Sequence, residues 1–266
     1  MSTVEKIFAS ARAEGRAALV GYLPAGYPTV DGSVEMLSAM VDGGCDLLEV
    51  GVPYSDPVMD GPTIQAAADT ALRGGVRLRD VFGVVERVTA AGGRAVVMTY
   101  FNPVLRYGVD AFARDLAAAG GLGVITPDLI PDEAGPWLAA TDRTGLDRVF
   151  LVAPSSTDAR LAATVAACRG FVYAASTMGV TGTRATVGAT AGELVARTRL
   201  VSGDLPVCVG LGVSNGDQAA EVAGFADGVI VGSAYVREML DGRGAEGVRA
   251  LSAELAAGVR RAGVRS

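Results

Sequence analysis

Short apolar runs rich in Val, Leu and Ile recur along the chain at Ala18–Ala25, Asp46–Val52, Ala95–Phe101, Gly123–Leu129, Arg148–Ala153, Phe171–Ala175, Pro206–Leu211 and Asp227–Val231. They are nearly continuous rather than alternating, as expected of parallel strands covered by helices on the outside. Between them the apolar positions repeat at helical spacing. This predicts helices at Thr29–Val41, Thr63–Leu72, Leu78–Ala90, Asp110–Ala119, Asp132–Thr141, Asp158–Ala167, Ala191–Thr198, Gln218–Ala223 and Ala245–Val259. Thr157 and Asn215 can cap two of them. The opening MSTVEKIFASARAEGRA reads as an amphipathic helix of its own. Eight evenly spaced strand–helix units without a Gly, Ser or Pro-rich linker predict an α/β fold: a single (β/α)8 TIM barrel over residues 1–266 with an extra N-terminal helix. A doubly wound open sheet is the alternative. Two connections exceed the usual length, Pro53–Pro62 after the second strand and Ser176–Thr190 after the sixth. Long loops at that end of a barrel serve as lids or binding surfaces.

Composition narrows the chemistry. Half of the 266 residues are hydrophobic and 20% are charged, with a net charge of −6 and dispersed arginines, so no nucleic-acid surface is expected. No apolar run reaches membrane-spanning length and the N-terminus does not read as a signal segment, which predicts a cytoplasmic protein without a membrane role. There is no histidine, and Lys6 is the only lysine. Histidine base catalysis, histidine metal sites and a Schiff-base lysine on a barrel strand therefore drop out, and acid–base work falls to carboxylates and tyrosines. Cys45, Cys168 and Cys208 are far apart and read as small core residues. No metal-binding spacing occurs, so neither a metal nor a cofactor is expected.

Three features carry candidate chemistry. In LLEVGVPYSDPVMDGPTIQ, Glu49 lies inside an apolar strand and Asp60 in the loop beyond it. A carboxylate removed from water must be paired, protonated or kept for chemistry, so Glu49 is either half of an ion pair or an acid–base group. Asp60 is either a second such group or ordinary Asp-Gly-Pro turn chemistry. Second, VCVGLGVSN and GVIVGSAYV end the last two strands in glycines and then open helical patterns, where barrels often bind phosphate. With lysine almost absent, an anion there would be held by main-chain N–H groups, and Gly212, Gly232 and Ser233 are the candidates. The alternative is plain tight turns. Third, the loop from Ser176 follows the strand that carries Tyr173 and is rich in Gly and Thr, with Gly182 a further possible donor. Tyr173 is an active-site hydroxyl or a core aromatic.

LLEVGVPYSDPVMDGPTIQ resembles the signature of the tryptophan synthase alpha subunit family, and YLPAGYPT, MTYFNP, the Pro-Asp-Leu at 127–129, FVYAAS with GVTGTR, VGLGVS and ADGVIVGSA follow in that family's order. The resemblance covers nearly the whole chain. It implies a lyase that cleaves indole-3-glycerol phosphate to indole and glyceraldehyde 3-phosphate by retro-aldol chemistry in tryptophan biosynthesis. It also implies no cofactor of its own and an αββα complex with a beta subunit that carries pyridoxal phosphate. Position by position, it makes Glu49, Asp60 and Tyr173 catalytic, Tyr22 an aromatic wall near the indole, and Gly182, Gly212, Gly232 and Ser233 the phosphate cradle. It makes Asp56 and Thr181 the pair that links the two long loops, and it places Asp56, Pro57 and Asn102 in loop coupling and the partner interface. The same residues suit a stand-alone lyase that releases free indole, and a barrel that mainly activates a beta subunit is a third reading. The chain departs from the family pattern at Met59, Leu211, Ile130, Gly121-Leu122-Gly123 and Thr177-Met178. None of these removes a proposed catalytic group.

Overall fold

A computed structural model describes residues 1–175, 184–210 and 212–262, with the side chains of 184–187 excepted. The strand segments are β1 (Ala18–Pro24), β2 (Leu47–Gly51), β3 (Ala95–Met98), β4 (Gly123–Ile125), β5 (Asp147–Val149), β6 (Leu151–Val152), β7 (Val172–Ala175), β8 (Val207–Gly210) and β9 (Gly228–Val231). They pair in parallel in the order β5-β4-β3-β2-β1-β9-β8-β7-β6. The two ends of that order, β5 and β6, are separated only by Phe150, so they are halves of one strand and the sheet closes into an eight-stranded barrel. At the break the Phe150 N–H donates to Cys168 Sγ at 3.4 Å, while its carbonyl still accepts from Tyr173 N at 3.2 Å.

The side-chain alternation of each strand divides the apolar residues into two layers. Val20, Leu47, Val96, Ile125, Val149, Phe171, Cys208 and Ile230 point into the barrel and pack with Val4, Ile7 and Phe8 of the N-terminal helix, α1 (Thr3–Ala13). That helix closes the end of the barrel where the strands begin, with Phe8 against Phe171 at 5.4 Å between ring centroids. Ser2 starts it by a capping box with Glu5. Leu19, Leu48, Val50, Val97, Val124, Val172, Val209 and Val229 face outward into the layer beneath the surrounding helices. The helices of that ring are α2 (Val30–Asp42), α3 (Pro62–Arg73), α4 (Leu78–Ala90), α5 (Phe101–Tyr107), α6 (Val109–Ala118), α7 (Gly135–Thr144), α8 (Asp158–Ala167), α9 (Arg184–Ser202), α10 (Gly216–Ala223), α11 (Ser233–Leu240) and α12 (Gly244–Arg261).

Several boundaries differ from the sequence reading. The third strand stops at Met98 instead of reaching Phe101, because Tyr100 is the extended N-cap of α5 and the Asp128 carboxylate accepts the Phe101 N–H at 2.9 Å. That capping acid lies 27 residues away in sequence, beyond the reach of any local pattern. The fourth strand ends at Ile125 rather than Leu129, just short of Pro127, which cannot donate to a ladder. The helix placed at Ala191–Thr198 runs from Arg184 to Ser202, and the helical pattern that opens after Gly232 forms the separate helix α11. Cys45 and Cys208 are buried and Cys168 is partly buried, and all three are free thiols.

Candidate active site

The two carboxylates arrive from different elements. Glu49 is the third residue of β2, flanked in register by Tyr22 on β1 and Val96 on β3. Since Leu48 and Val50 face the helices, strand alternation turns Glu49 into the barrel, where it is fully buried. Neither of its oxygens has a hydrogen-bond partner among the described residues, so the ion-pair alternative is not realised there. Burial without compensation pushes its carboxyl up to about 8. Asp60 closes the loop between β2 and α3, and burial pushes its carboxyl up to about 6. Its main-chain carbonyl accepts from Gln65 Nε2 at 2.7 Å.

Both carboxylates line one cavity of ≈ 190 Å³ at the C-terminal ends of the strands, together with Tyr22, Tyr173, Gly212, Gly232 and Ser233. Met59, Ile64, Met98 and Ile230 add apolar surface to its wall. The two tyrosines owe their positions to missing side chains. A Cβ on Gly51 would collide with the Tyr22 hydroxyl, and one on Gly210 with the Tyr173 hydroxyl. Burial raises both phenols well above their ordinary value, with smaller contributions from Asp60 and Glu49, so both remain protonated donors at neutral pH.

The anion end differs in detail from the sequence reading. Gly232 is the N-cap of α11 and Ser233 its first residue, so a helix N-terminus does open on the cavity. A Cβ on Gly232 would lie 2.9 Å from Cδ1 of Tyr22, so this glycine also seats that ring. At Gly212 the space is open and the constraint is the backbone, whose φ of +58 is left-handed. Thr181, Gly182, Leu211 and Thr177-Met178 lie outside the described residues.

Asp56, Pro57 and Asn102 do not line this cavity. Asp56 is exposed and accepts from Ser55 Oγ at 2.5 Å, and Asn102 Nδ2 donates to the Tyr54 hydroxyl at 3.1 Å. Asn102, Pro53, Tyr54, Arg106 and Tyr107 instead line a separate groove of ≈ 450 Å³. Tyr100 was not singled out by the sequence. Its hydroxyl accepts from both Val58 N, at 3.1 Å, and Met59 N, at 3.0 Å, in the loop that carries Asp60. The only sequence signal for it is its place directly beyond the end of a barrel strand. Among the described residues no three His, Cys, Asp or Glu side chains converge as a metal-binding group, and no helix is long and apolar enough to cross a membrane.

Residues 8–261 match the family model described as tryptophan synthase alpha chain. The chain belongs to the tryptophan synthase alpha chain family. It is 67% identical over 259 residues to the tryptophan synthase alpha chain of Mycobacterium avium, covering 97% of this chain and 95% of that one. To the corresponding protein of Nocardia farcinica it is 66% identical over 265 residues, covering 100% and 98%. A solved structure of Mycobacterium tuberculosis tryptophan synthase superposes with a TM-score of 0.92 at 65% identity, covering 97% of this chain and 98% of that one. Tryptophan synthase subunit alpha from Legionella pneumophila, at only 30% identity, still gives 0.86 over 98% of each chain. The tryptophan synthase alpha fold is thus a TIM barrel here as well.

Proposed function

We propose that this member of the tryptophan synthase alpha chain family cleaves indole-3-glycerol phosphate to indole and glyceraldehyde 3-phosphate, acting in the cytoplasm as the alpha subunit beside a pyridoxal-phosphate beta subunit. The observation that carries the reading is Glu49, fully buried and without a partner among the described residues, its carboxyl pushed up to about 8. At neutral pH it is an acid, and it delivers its proton to C3 of the indole ring. Asp60, with its carboxyl at about 6, is ionised at the same pH and accepts the indole N–H, stabilising the positive charge that protonation puts on the ring. Glu49, now a carboxylate, takes the proton from the glycerol hydroxyl next to the scissile bond. The O–H electrons form the aldehyde carbonyl, and the carbon–carbon bonding pair returns to the ring as neutral indole. The proton lent is recovered, and two carboxylates in different environments meet every demand.

Tyr173 offers a protonated hydroxyl beside the reacting centre, Tyr22 forms the wall of the indole end, and Ser233 with the main chain at Gly212 and Gly232 holds the phosphate. Thr181 and Gly182 would complete the lid and the cradle. Because each proton transfer is assigned to a side chain, the reaction is expected to need neither metal nor cofactor in this chain. Asp56, Pro57 and Asn102, outside the cavity, would face the beta subunit. The test is indole release by the purified chain from indole-3-glycerol phosphate, in the presence of EDTA, with and without a cognate beta subunit. Turnover that survives EDTA and rises with the beta subunit supports the reading. No turnover under either condition refutes it, and full turnover by the chain alone argues for a stand-alone lyase.

A further inference from the structure

The loop that delivers Asp60 is poorly anchored by its own side chains. Val58 is 73% and Met59 36% exposed, so apolar packing does not fix the residues that lead into the carboxylate. Among the described residues, what holds the main chain there is one phenol, since the N–H groups of Val58 and Met59 both donate to Tyr100 Oη, at 3.1 and 3.0 Å. Two donors fill the acceptor capacity of a phenol oxygen. On the far side of Asp60, its carbonyl is tied to Gln65 of α3. The aspartate is thus bracketed by two main-chain anchors, with Tyr100 holding the two residues directly before it.

Tyr100 is itself rigidly held. Its ring is 6% exposed and lies against that of Tyr54 at 5.1 Å. Its carbonyl accepts from Thr99 Oγ1 at 2.9 Å, and the next N–H, of Phe101, is bonded to the Asp128 carboxylate. Burial and the nearby Asp60 charge raise its hydroxyl above the ordinary value, which keeps it protonated and in place as a neutral acceptor. We infer that Tyr100 is a positioning residue for Asp60: its hydroxyl fixes the loop main chain so that the carboxylate stays over the reaction cavity. The catalytic consequence rests on the function proposed above, whereas the clamp itself does not. The Asn102 side chain, bonded to Tyr54, is connected through the same stacked rings to this clamp.

The experiment separates the two. Hydrogen exchange on the free wild-type chain should show the Val58 and Met59 amides exchanging more slowly than those of Ser55 and Asp56, and Tyr100→Phe should abolish that difference. The fold is checked by fluorescence of the single tryptophan, Trp137, whose ring lies 6.0 Å from that of Phe101. In the lyase assay Tyr100→Phe should lower kcat by about tenfold or more, as misplacement of a catalytic group does, with KM changed by no more than about twofold. The acid limb of the pH profile should move down from about 6 as a loosened Asp60 regains solvent. Tyr54→Phe, which removes the Asn102 bond and keeps the stacked ring, should leave amide protection intact. Equal exchange at all four wild-type amides, or protection that persists in Tyr100→Phe, overturns the clamp. A fall in kcat/KM carried by KM with the acid limb unmoved overturns the positioning role and makes Tyr100 a wall of the substrate pocket. A wild-type chain without lyase activity would refute the proposed function, while the exchange arm still decides the clamp.

Discussion

Carboxylates at the two ends of the barrel are held in different ways. Where strands begin, Asp46, Asp147 and Asp227 are paired with Arg16, Arg169 and Arg199, and Asp46 and Asp227 also accept main-chain N–H groups. Where strands end, Glu49 has no hydrogen-bond partner among the described residues, and Asp60 is tied through its main-chain carbonyl to Gln65. Burial, with no ion pair to either carboxylate among the described residues, raises both functional carboxyls. The glycines divide by cause in the same way and give a test. Gly212→Ala forces a left-handed backbone on a residue with a Cβ, a strain of roughly 1–2 kcal/mol, and should raise KM for the phosphorylated substrate by about tenfold while indole affinity is unchanged. Gly232→Ala displaces the Tyr22 ring, so it should weaken indole as well as the phosphorylated substrate. Ser233→Ala should have the smallest effect of the three. Equal indole affinity in wild type and Gly232→Ala, measured by titration of folded protein, would show that Tyr22 is not a wall of the indole site.

At the scale of elements, the sequence was legible wherever the signal was local and regular. Continuous apolar runs gave all eight barrel strands, and alternation put Glu49 on the inner face. The signal failed where a distant residue decides the outcome. Tyr100 and Phe101 read as the end of an apolar strand, yet the Asp128 carboxylate accepts the Phe101 N–H and a helix starts there. That Gly232 also makes room for the Tyr22 ring is invisible in the sequence for a similar reason, because the ring comes from β1, more than two hundred positions earlier in the chain. Tyr100 escaped notice because a clamp made of main-chain donors leaves no trace in the pattern of side chains. The Pro53–Pro62 loop is the element on which partner coupling is expected to act, and Asp56 is its exposed carboxylate. Asp56→Ala should reduce the activation by a beta subunit while leaving KM of the isolated chain within about twofold, since it lies outside the cavity. Titrating beta subunit into an indole-release assay checks this, and undiminished activation would remove Asp56 from the coupling path.

For the whole molecule, an unpaired buried glutamate costs stability in a definable pH window. Glu49 in the folded chain holds its proton up to about 8, whereas an unfolded chain loses it near the ordinary value of 4.5. Folding therefore takes up a proton between those values, and stability falls as pH rises through that window. Glu49→Gln should accordingly be more stable than wild type above pH 8, by on the order of 2 kcal/mol, with the advantage shrinking toward pH 4.5. Thermal unfolding of both proteins across that range measures it, and curves that stay parallel would mean that the buried carboxyl is not raised. Steady-state indole release from indole-3-glycerol phosphate by the same variant decides whether Glu49 carries the proton. The amide keeps the shape of the glutamate and cannot carry a proton, so kcat should fall by about 10²–10⁴-fold or more in a protein that is folded and still binds substrate. Near-normal turnover by folded Glu49→Gln would contradict the assignment of Glu49 as the group that gives and takes the proton.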